Sequence, residues 1–263
     1  LNLQETDQFE QGHGTPEEWR KRHTIRFSQI DGAGIVYYPR YFEMLAESFP
    51  QQFTMHQAAT LDLTFHQPVR LADQLILEPT GKTNDQQFSV AGSSGDKLCF
   101  EIHKTPVQKS KPAPWLDDKS AFVRETSIGA WMCGTDSRLH LSRSYELTAV
   151  LMEEWFTRAL LCPFATLESP DGALVPTARL QTTVHELPQK NDWVRLSLSV
   201  LHIGRSSLGM GMSMRRNEHL LLQSQQTIVF VASRNQQLSS VEIPQPVRQR
   251  LEQQLFSGSE VSP

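Results

Sequence analysis

The residues best suited to chemistry lie in one stretch, Arg26-Phe27-Ser28-Gln29-Ile30-Asp31-Gly32-Ala33-Gly34-Ile35-Val36-Tyr37-Tyr38-Pro39-Arg40-Tyr41-Phe42-Glu43. It reads as a strand that ends at an aspartate, a loop bearing two glycines, and a helix that opens on a proline. Proline suits the first helical position because its φ is already helical and the N–H it lacks would have had no intrahelical partner. The unpaired N–H groups at such a start, together with the positive end of the helix dipole, can hold an oxyanion. Tyr38 supplies the last backbone N–H before Pro39. Gly32 and Gly34 let a carbonyl group approach the backbone with no Cβ in the way. Asp31 is then placed either to attack a carbonyl carbon or to deprotonate a water that does so.

The elements that must hold this stretch occur twice along the chain. Asp31 and Tyr41 are spaced almost as Asp136 and Tyr145 are, each pair leading into a helical pattern. His66-Gln67-Pro68 with Asp73, Leu75 and Leu77 is mirrored by His185-Glu186-Leu187-Pro188 with Asp192, Val194 and Leu196. Both are proline-bearing turns that open an alternating, half-buried strand. The sequence therefore predicts an α+β protein of two similar halves, each a curved antiparallel sheet around one helix. Residues 1–20 are polar and poor in aromatics and are expected to form a mobile arm. The first repeat is expected over 21–107, a charged and proline-rich linker over 108–120, and the second repeat over 121–263. The stretch from Tyr145 to Asp192 is longer than that from Tyr41 to Asp73. The first helix, over about 39–49, should accordingly be the short one, and the second, over about 144–161, the long one.

Composition removes several function classes. The chain has 263 residues, 38% of them apolar, which is enough to bury a sizeable core. Formal net charge is -4 with no run of Lys and Arg, so nucleic acid is not an expected partner. No apolar stretch approaches the length of a membrane span and the first residues do not resemble a signal segment, so no membrane association and a cytoplasmic setting are expected. Cys99, Cys133 and Cys162 are odd in number and widely spaced, which points to buried thiols rather than disulfides or a zinc knuckle. No histidine spacing matches a metal-ligand pair, so no metal is assigned.

Residues 26–43 resemble the signature of the 4-hydroxybenzoyl-CoA thioesterase family of hotdog proteins. In that signature an aspartate, an Ala-Gly-Ile-Val run, two aromatics and a proline precede Tyr-Phe-Glu. The second half adds Glu154-Trp155-Phe156, Pro176-Thr177, Ile203-Gly204-Arg205-Ser206-Ser207-Leu208, the strand at 226–231, and Ile243-Pro244 before a final helix. The resemblance implies a double hotdog that hydrolyses a fatty or aromatic acyl thioester, carried by coenzyme A or by acyl carrier protein. It implies no cofactor, coenzyme A being part of the substrate. Asp31 inherits the catalytic role and the Tyr38 N–H that of oxyanion donor, with Gly34 in the loop between. Ile35, Val36, Tyr37, Arg205 and Ser206 are the expected substrate contacts, the last two through coenzyme A phosphates. Repeat one shows Asn84-Asp85-Gln86-Gln87 in place of Gly-Arg-Ser-Ser. Repeat two shows Gly134-Thr135-Asp136-Ser137-Arg138-Leu139-His140 in place of the Asp-Ala-Gly segment, which reads as an aspartate without its glycine and one residue short. One live site, built from the Asp31 loop and the long helix of repeat two, is therefore expected.

Two other readings stay open. Asp136 and His140 have the four-residue spacing of hotdog enoyl-CoA hydratases, without the Asn-Pro between them. A chain that only binds acyl groups or scaffolds a partner is the non-catalytic alternative, and a homodimer of double hotdogs is compatible with either. Glu43, Glu146, Glu153 and Glu154 are expected to be solvated helix residues. Met210, Met212 and Met214 alternate along a strand and are expected in the core or the acyl pocket.

Overall fold

The computed structural model describes residues 19–257 apart from 54, 56, 81–86, 109–112, 118–120, 168–171 and 235–236. Nearly all of the expected arm, the Lys109-Ser110-Lys111-Pro112 part of the linker, and Asn84-Asp85-Gln86 lie outside the described residues. Ten strands form one antiparallel sheet: β1 (Lys21–Thr24), β2 (Ala59–Phe65), β3 (Gln74–Pro79), β4 (Phe88–Ser94), β5 (Lys97–Pro106), β6 (Phe122–Ser127), β7 (Thr177–Val184), β8 (Trp193–Ile203), β9 (Ser207–Arg216) and β10 (His219–Val229). Their spatial order is β1-β3-β4-β5-β2-β7-β10-β9-β8-β6, so the second half repeats the first in reverse about the β2–β7 seam. At that seam Ala59 pairs with Val184, Leu61 with Thr182 and Leu63 with Leu180. Leu61, Leu63, Leu180 and Val184 are all buried. A period of two apolar positions on each strand therefore makes one continuous inner face across the two halves.

That face closes on α1 (Tyr38–Ser48) and α2 (Leu141–Arg158). In α2 the buried residues Leu141, Tyr145, Thr148, Met152 and Trp155 recur every three or four positions, a stripe that a sheet can cover. The helix begins three residues before the expected 144, with Leu141 and Ser142 buried in its first turn. In α1 the chain leaves the helix at Phe49, ahead of Pro50, whose ring disfavours helical geometry in the preceding residue. The two helices meet where Phe42 stacks on Tyr145, with ring centroids 3.9 Å apart and planes 20° from parallel. Beside that contact the Tyr38 hydroxyl donates to Tyr145 O at 3.1 Å. At the helix starts Arg40 reaches Glu43 (2.6 Å) and Glu146 (3.1 Å), and Arg143 reaches Glu146 (2.6 Å) and Glu43 (3.7 Å). The architecture is a double hotdog, with one helix from each half side by side inside a shared sheet.

Leu208, Met210, Met212 and Met214 of β9 are fully buried on the helix side, which assigns these methionines to the core. On the opposite face Gly211 lies against Trp115, whose ring would be 2.5 Å from a Cβ at that position. The linker is thus partly docked on the sheet. A hairpin of β11 (Val231–Arg234) and β12 (Gln237–Ser240) follows, then α3 (Gln245–Ser257). Arg250 of α3 donates to Leu160 O at 2.5 Å and to Leu161 O at 3.1 Å, so a cation completes the carboxyl end of α2. Among the described residues no helix is long and apolar enough to cross a membrane.

Candidate active site

The Asp31 loop is fixed by its own backbone. Asp31 N–H donates to Ile35 O (2.9 Å) and Gly34 N–H to Asp31 O (3.0 Å). This tight ring needs a positive φ, and Gly34 adopts +74° without a Cβ penalty. The Asp31 carboxylate accepts Ala33 N–H at 2.9 Å and Ile35 N–H at 3.3 Å, both on Oδ1, so Oδ2 carries neither bond. Burial raises the pKa of Asp31, and the backbone N–H groups only partly oppose that rise. No charged neighbour is among the causes, so the shift is one of desolvation. A carboxylate held this way is a stronger base than one in water.

Beyond the loop the backbone donors can be accounted for one by one. Val36 N–H goes to Val69 O (2.8 Å), Tyr37 N–H to Gln29 O (3.0 Å) and Arg40 N–H to Tyr37 O (2.8 Å). Pro39 has no N–H. Among the described residues Tyr38 N–H has no acceptor, which leaves one donor of the helix start free. The Tyr38 side chain is buried and committed to α2, so only its backbone is available for chemistry.

Asp31, Ile35, Val36, Tyr37 and Tyr38 line a cavity of about 960 Å³. Its other wall comes from the second half: Ala149, Met152 and Glu153 on one face of α2, with Phe164, Leu174 and Val229 beyond them. The positions i, i+3 and i+4 of a helix share a face, which is why these three α2 residues meet the cavity together. The short α1 and the long α2 thus contribute differently, α1 its amino-terminal start and α2 a side wall. Tyr37 is partly buried here, and burial with the charges of Glu146 and Glu153 raises its phenol pKa, so it stays neutral.

The second loop repeats the first bond for bond. Gly134 N–H donates to Arg138 O (2.9 Å), Ser137 N–H to Gly134 O (3.0 Å), Leu139 N–H to Pro188 O (2.8 Å) and His140 N–H to Met132 O (3.0 Å). These bonds pair Asp31 with Gly134, Ala33 with Asp136, Gly34 with Ser137, Tyr38 with Leu141 and Phe42 with Tyr145. The expected pairing of Asp31 with Asp136 and of Tyr41 with Tyr145 is therefore corrected. The loops are equal in length, and no residue is missing from the second. Matching by residue type slid the register, whereas the hydrogen bonds fix it. Ser137 takes the positive φ that Gly34 takes, at +62°. A Cβ on Gly134 would lie 3.1 Å from Asp136 Oδ1 and 3.4 Å from His140 Cε1. Asp136 and His140 both stand at exposed positions beside Gly134, and neither lines the Asp31 cavity.

Arg205 and Ser206 are not brought to the cavity. Arg205 lies on the β8–β9 turn with its side chain 83% exposed and 3.5 Å from Glu242. Three ionisable residues of the cavity were not assigned to it from sequence. Glu153, expected to be solvated, was readable from its spacing after Ala149 on the α2 face. His66, read only as part of a turn, and Lys97 carry no sequence signal for the cavity, because their segments meet only through the fold, where Cys99 O accepts both His66 N–H (2.8 Å) and Gln67 N–H (3.2 Å). Among the described residues no group of three or more His, Cys, Asp or Glu is placed to hold a metal ion.

Comparison with solved structures gives the same fold in proteins of very different sequence. A Lactobacillus plantarum protein described as an oleoyl thioesterase has a TM-score of 0.63 at 6% identity, covering 80% of this chain and 95% of its own. The 12:0-ACP thioesterase of Umbellularia californica gives 0.60 at 6% identity, covering 80% and 93%. An acyl-ACP thioesterase of Bacteroides thetaiotaomicron gives 0.57 at 8% identity, covering 82% and 100%. No family model matches the chain, and no curated protein matches it.

Proposed function

We propose that this double hotdog is a thioesterase of the 4-hydroxybenzoyl-CoA thioesterase type, hydrolysing an acyl thioester of coenzyme A or of acyl carrier protein. The observation that carries the reading is the pairing of the Asp31 carboxylate with the free Tyr38 N–H in one cavity between the halves. Structures of the same fold that bear thioesterase names support it. In this reading the thioester carbonyl oxygen points at the Tyr38 N–H, whose helix-start position favours developing negative charge. Asp31 takes a proton from water as the water oxygen bonds to the carbonyl carbon. Collapse of the tetrahedral adduct breaks the C–S bond, and the sulfur leaves with the proton as a free thiol. Direct attack by Asp31 would give an acyl anhydride first, with water opening it in a second step. Single turnover in oxygen-18 water separates the two, since only the anhydride route leaves label in Asp31 when water attacks the aspartyl carbon. A panel of acyl-CoA and acyl carrier protein thioesters, of aliphatic and aromatic chains, assayed for free thiol tests the activity. Wild-type protein that releases no thiol from any of them would exclude it.

A further inference from the structure

Among the described residues that line the cavity, Asp31 and Glu153 are acidic, and His66 and Lys97 are the ones that can carry positive charge. His66 Nε2 lies 3.0 Å from Glu101 Oε2. Lys97 takes part in no ion pair among the described residues. It opens β5 after the turn at Gly95, and the turn after β2 stands beside it through the Cys99 carbonyl. Both Lys97 and His66 are exposed, which puts them at the rim of the cavity rather than in its depth. Lys97 is absent from the causes that shift Asp31, so its charge is not there to tune the carboxylate.

We propose that the Lys97 ammonium holds the phosphate of a phosphopantetheine arm, the group that coenzyme A and acyl carrier protein share, while the thioester lies at Asp31. The choice of carrier rests on the thioesterase reading above. An anion entering a cavity that already holds two carboxylates meets repulsion, and an unpaired ammonium at the rim offsets it. Lysine suits this place because its charge is compact, its stem is flexible, and it meets phosphate as a point donor. The contact is exposed and screened by salt, so its effect is several-fold and not orders of magnitude.

The test is calorimetric titration of the full chain with 4′-phosphopantetheine and with pantetheine, which differ only in the phosphate. Wild-type protein should bind the phosphorylated arm about 5-fold more tightly, the range expected for one exposed ion pair. Lys97→Glu should erase that preference, Lys97→Arg should keep most of it, and 0.5 M salt should shrink it. Coenzyme A and holo acyl carrier protein, titrated in parallel, should both lose affinity on Lys97→Glu. Equal or undetectable binding of the two arms by wild-type protein, or a preference that survives Lys97→Glu, overturns the inference. So does a loss confined to one carrier, because the contact would then lie outside the shared arm. The readout needs no turnover: if thioesters are not hydrolysed yet the preference stands, the thioesterase reading fails and this one does not.

Discussion

Replacing Asp31 by Asn separates catalysis from folding. The amide retains a carbonyl oxygen in the position of Oδ1, so the hydrogen bonds from Ala33 and Ile35 survive and the loop keeps its shape. What is lost is the capacity to take a proton or to attack. A positioned general base contributes roughly 10²–10⁴ in rate, which corresponds to about 3–5 kcal/mol of barrier. Stability should move the other way. Burial raises the folded-state pKa of Asp31 above its unfolded value, so the folded state disfavours the ionised form. The stabilisation that accompanies protonation is fully present below the unfolded pKa and is lost as pH rises through the folded pKa. At pH 7.5 wild-type protein carries that cost and Asp31→Asn does not, so the variant should melt at an equal or higher temperature. Below about pH 4, the unfolded aspartate range, the advantage should vanish. Thiol release measured beside thermal unfolding at both pH values reads the two effects together. Near wild-type turnover would remove Asp31 from the mechanism, and a clear drop in melting temperature at pH 7.5 would mean that its role is structural.

Other outcomes follow from the same geometry. Asp136→Asn should change kcat/KM by less than about 2-fold, because the residue stands at the counterpart of Ala33 and outside the cavity; a loss comparable to that of Asp31→Asn would favour the hydratase reading. Tyr38→Phe removes the hydroxyl bond to Tyr145 O but not the backbone N–H, so it should cost about 1 kcal/mol in chemical denaturation while leaving turnover nearly intact. If turnover collapses at unchanged stability, the side chain and not the backbone is the functional group. Gly211→Val should destabilise by roughly 1–3 kcal/mol against the Trp115 ring, and Trp115→Ala should relieve part of that cost in the double variant. Simple additivity of the two would mean that they do not touch.

Local chemistry was the legible part of this sequence. The glycine loop and proline-led helix of residues 31–43, the short first helix and the long second one follow from proline and glycine placement and from apolar periodicity, all of which act over a few residues. The strand expected to end at Asp31 is corrected, since β1 ends at Thr24 and Phe27–Gln29 is a 3-10 turn. Both helices lie close to their expected bounds. The correspondence between halves was not legible, because carboxylates and tyrosines recur by type while register is set by backbone hydrogen bonds that leave no mark on composition. Asp136 looked like a second Asp31 for that reason. Arg205 is a separate case: the motif around it is present, and its side chain stands exposed on the β8–β9 turn beside Glu242, outside the cavity lining. Lys97 and His66 reach the cavity through pairings between strands far apart in sequence, which no local pattern encodes.

The reversed strand order has a consequence for how this molecule could change. In a pair of identical subunits every substitution is made twice, so a loop cannot abandon its aspartate without disarming both copies. Joining the halves in one chain makes each position separately addressable. Gly134 could take the place of a carboxylate, and Ser137 could accept a left-handed backbone that glycine tolerates better, while Asp31 and Gly34 stayed as they are. With the halves joined in one chain, the second supplies the longer helix, α2, as a wall of the cavity that the Asp31 loop lines from the first.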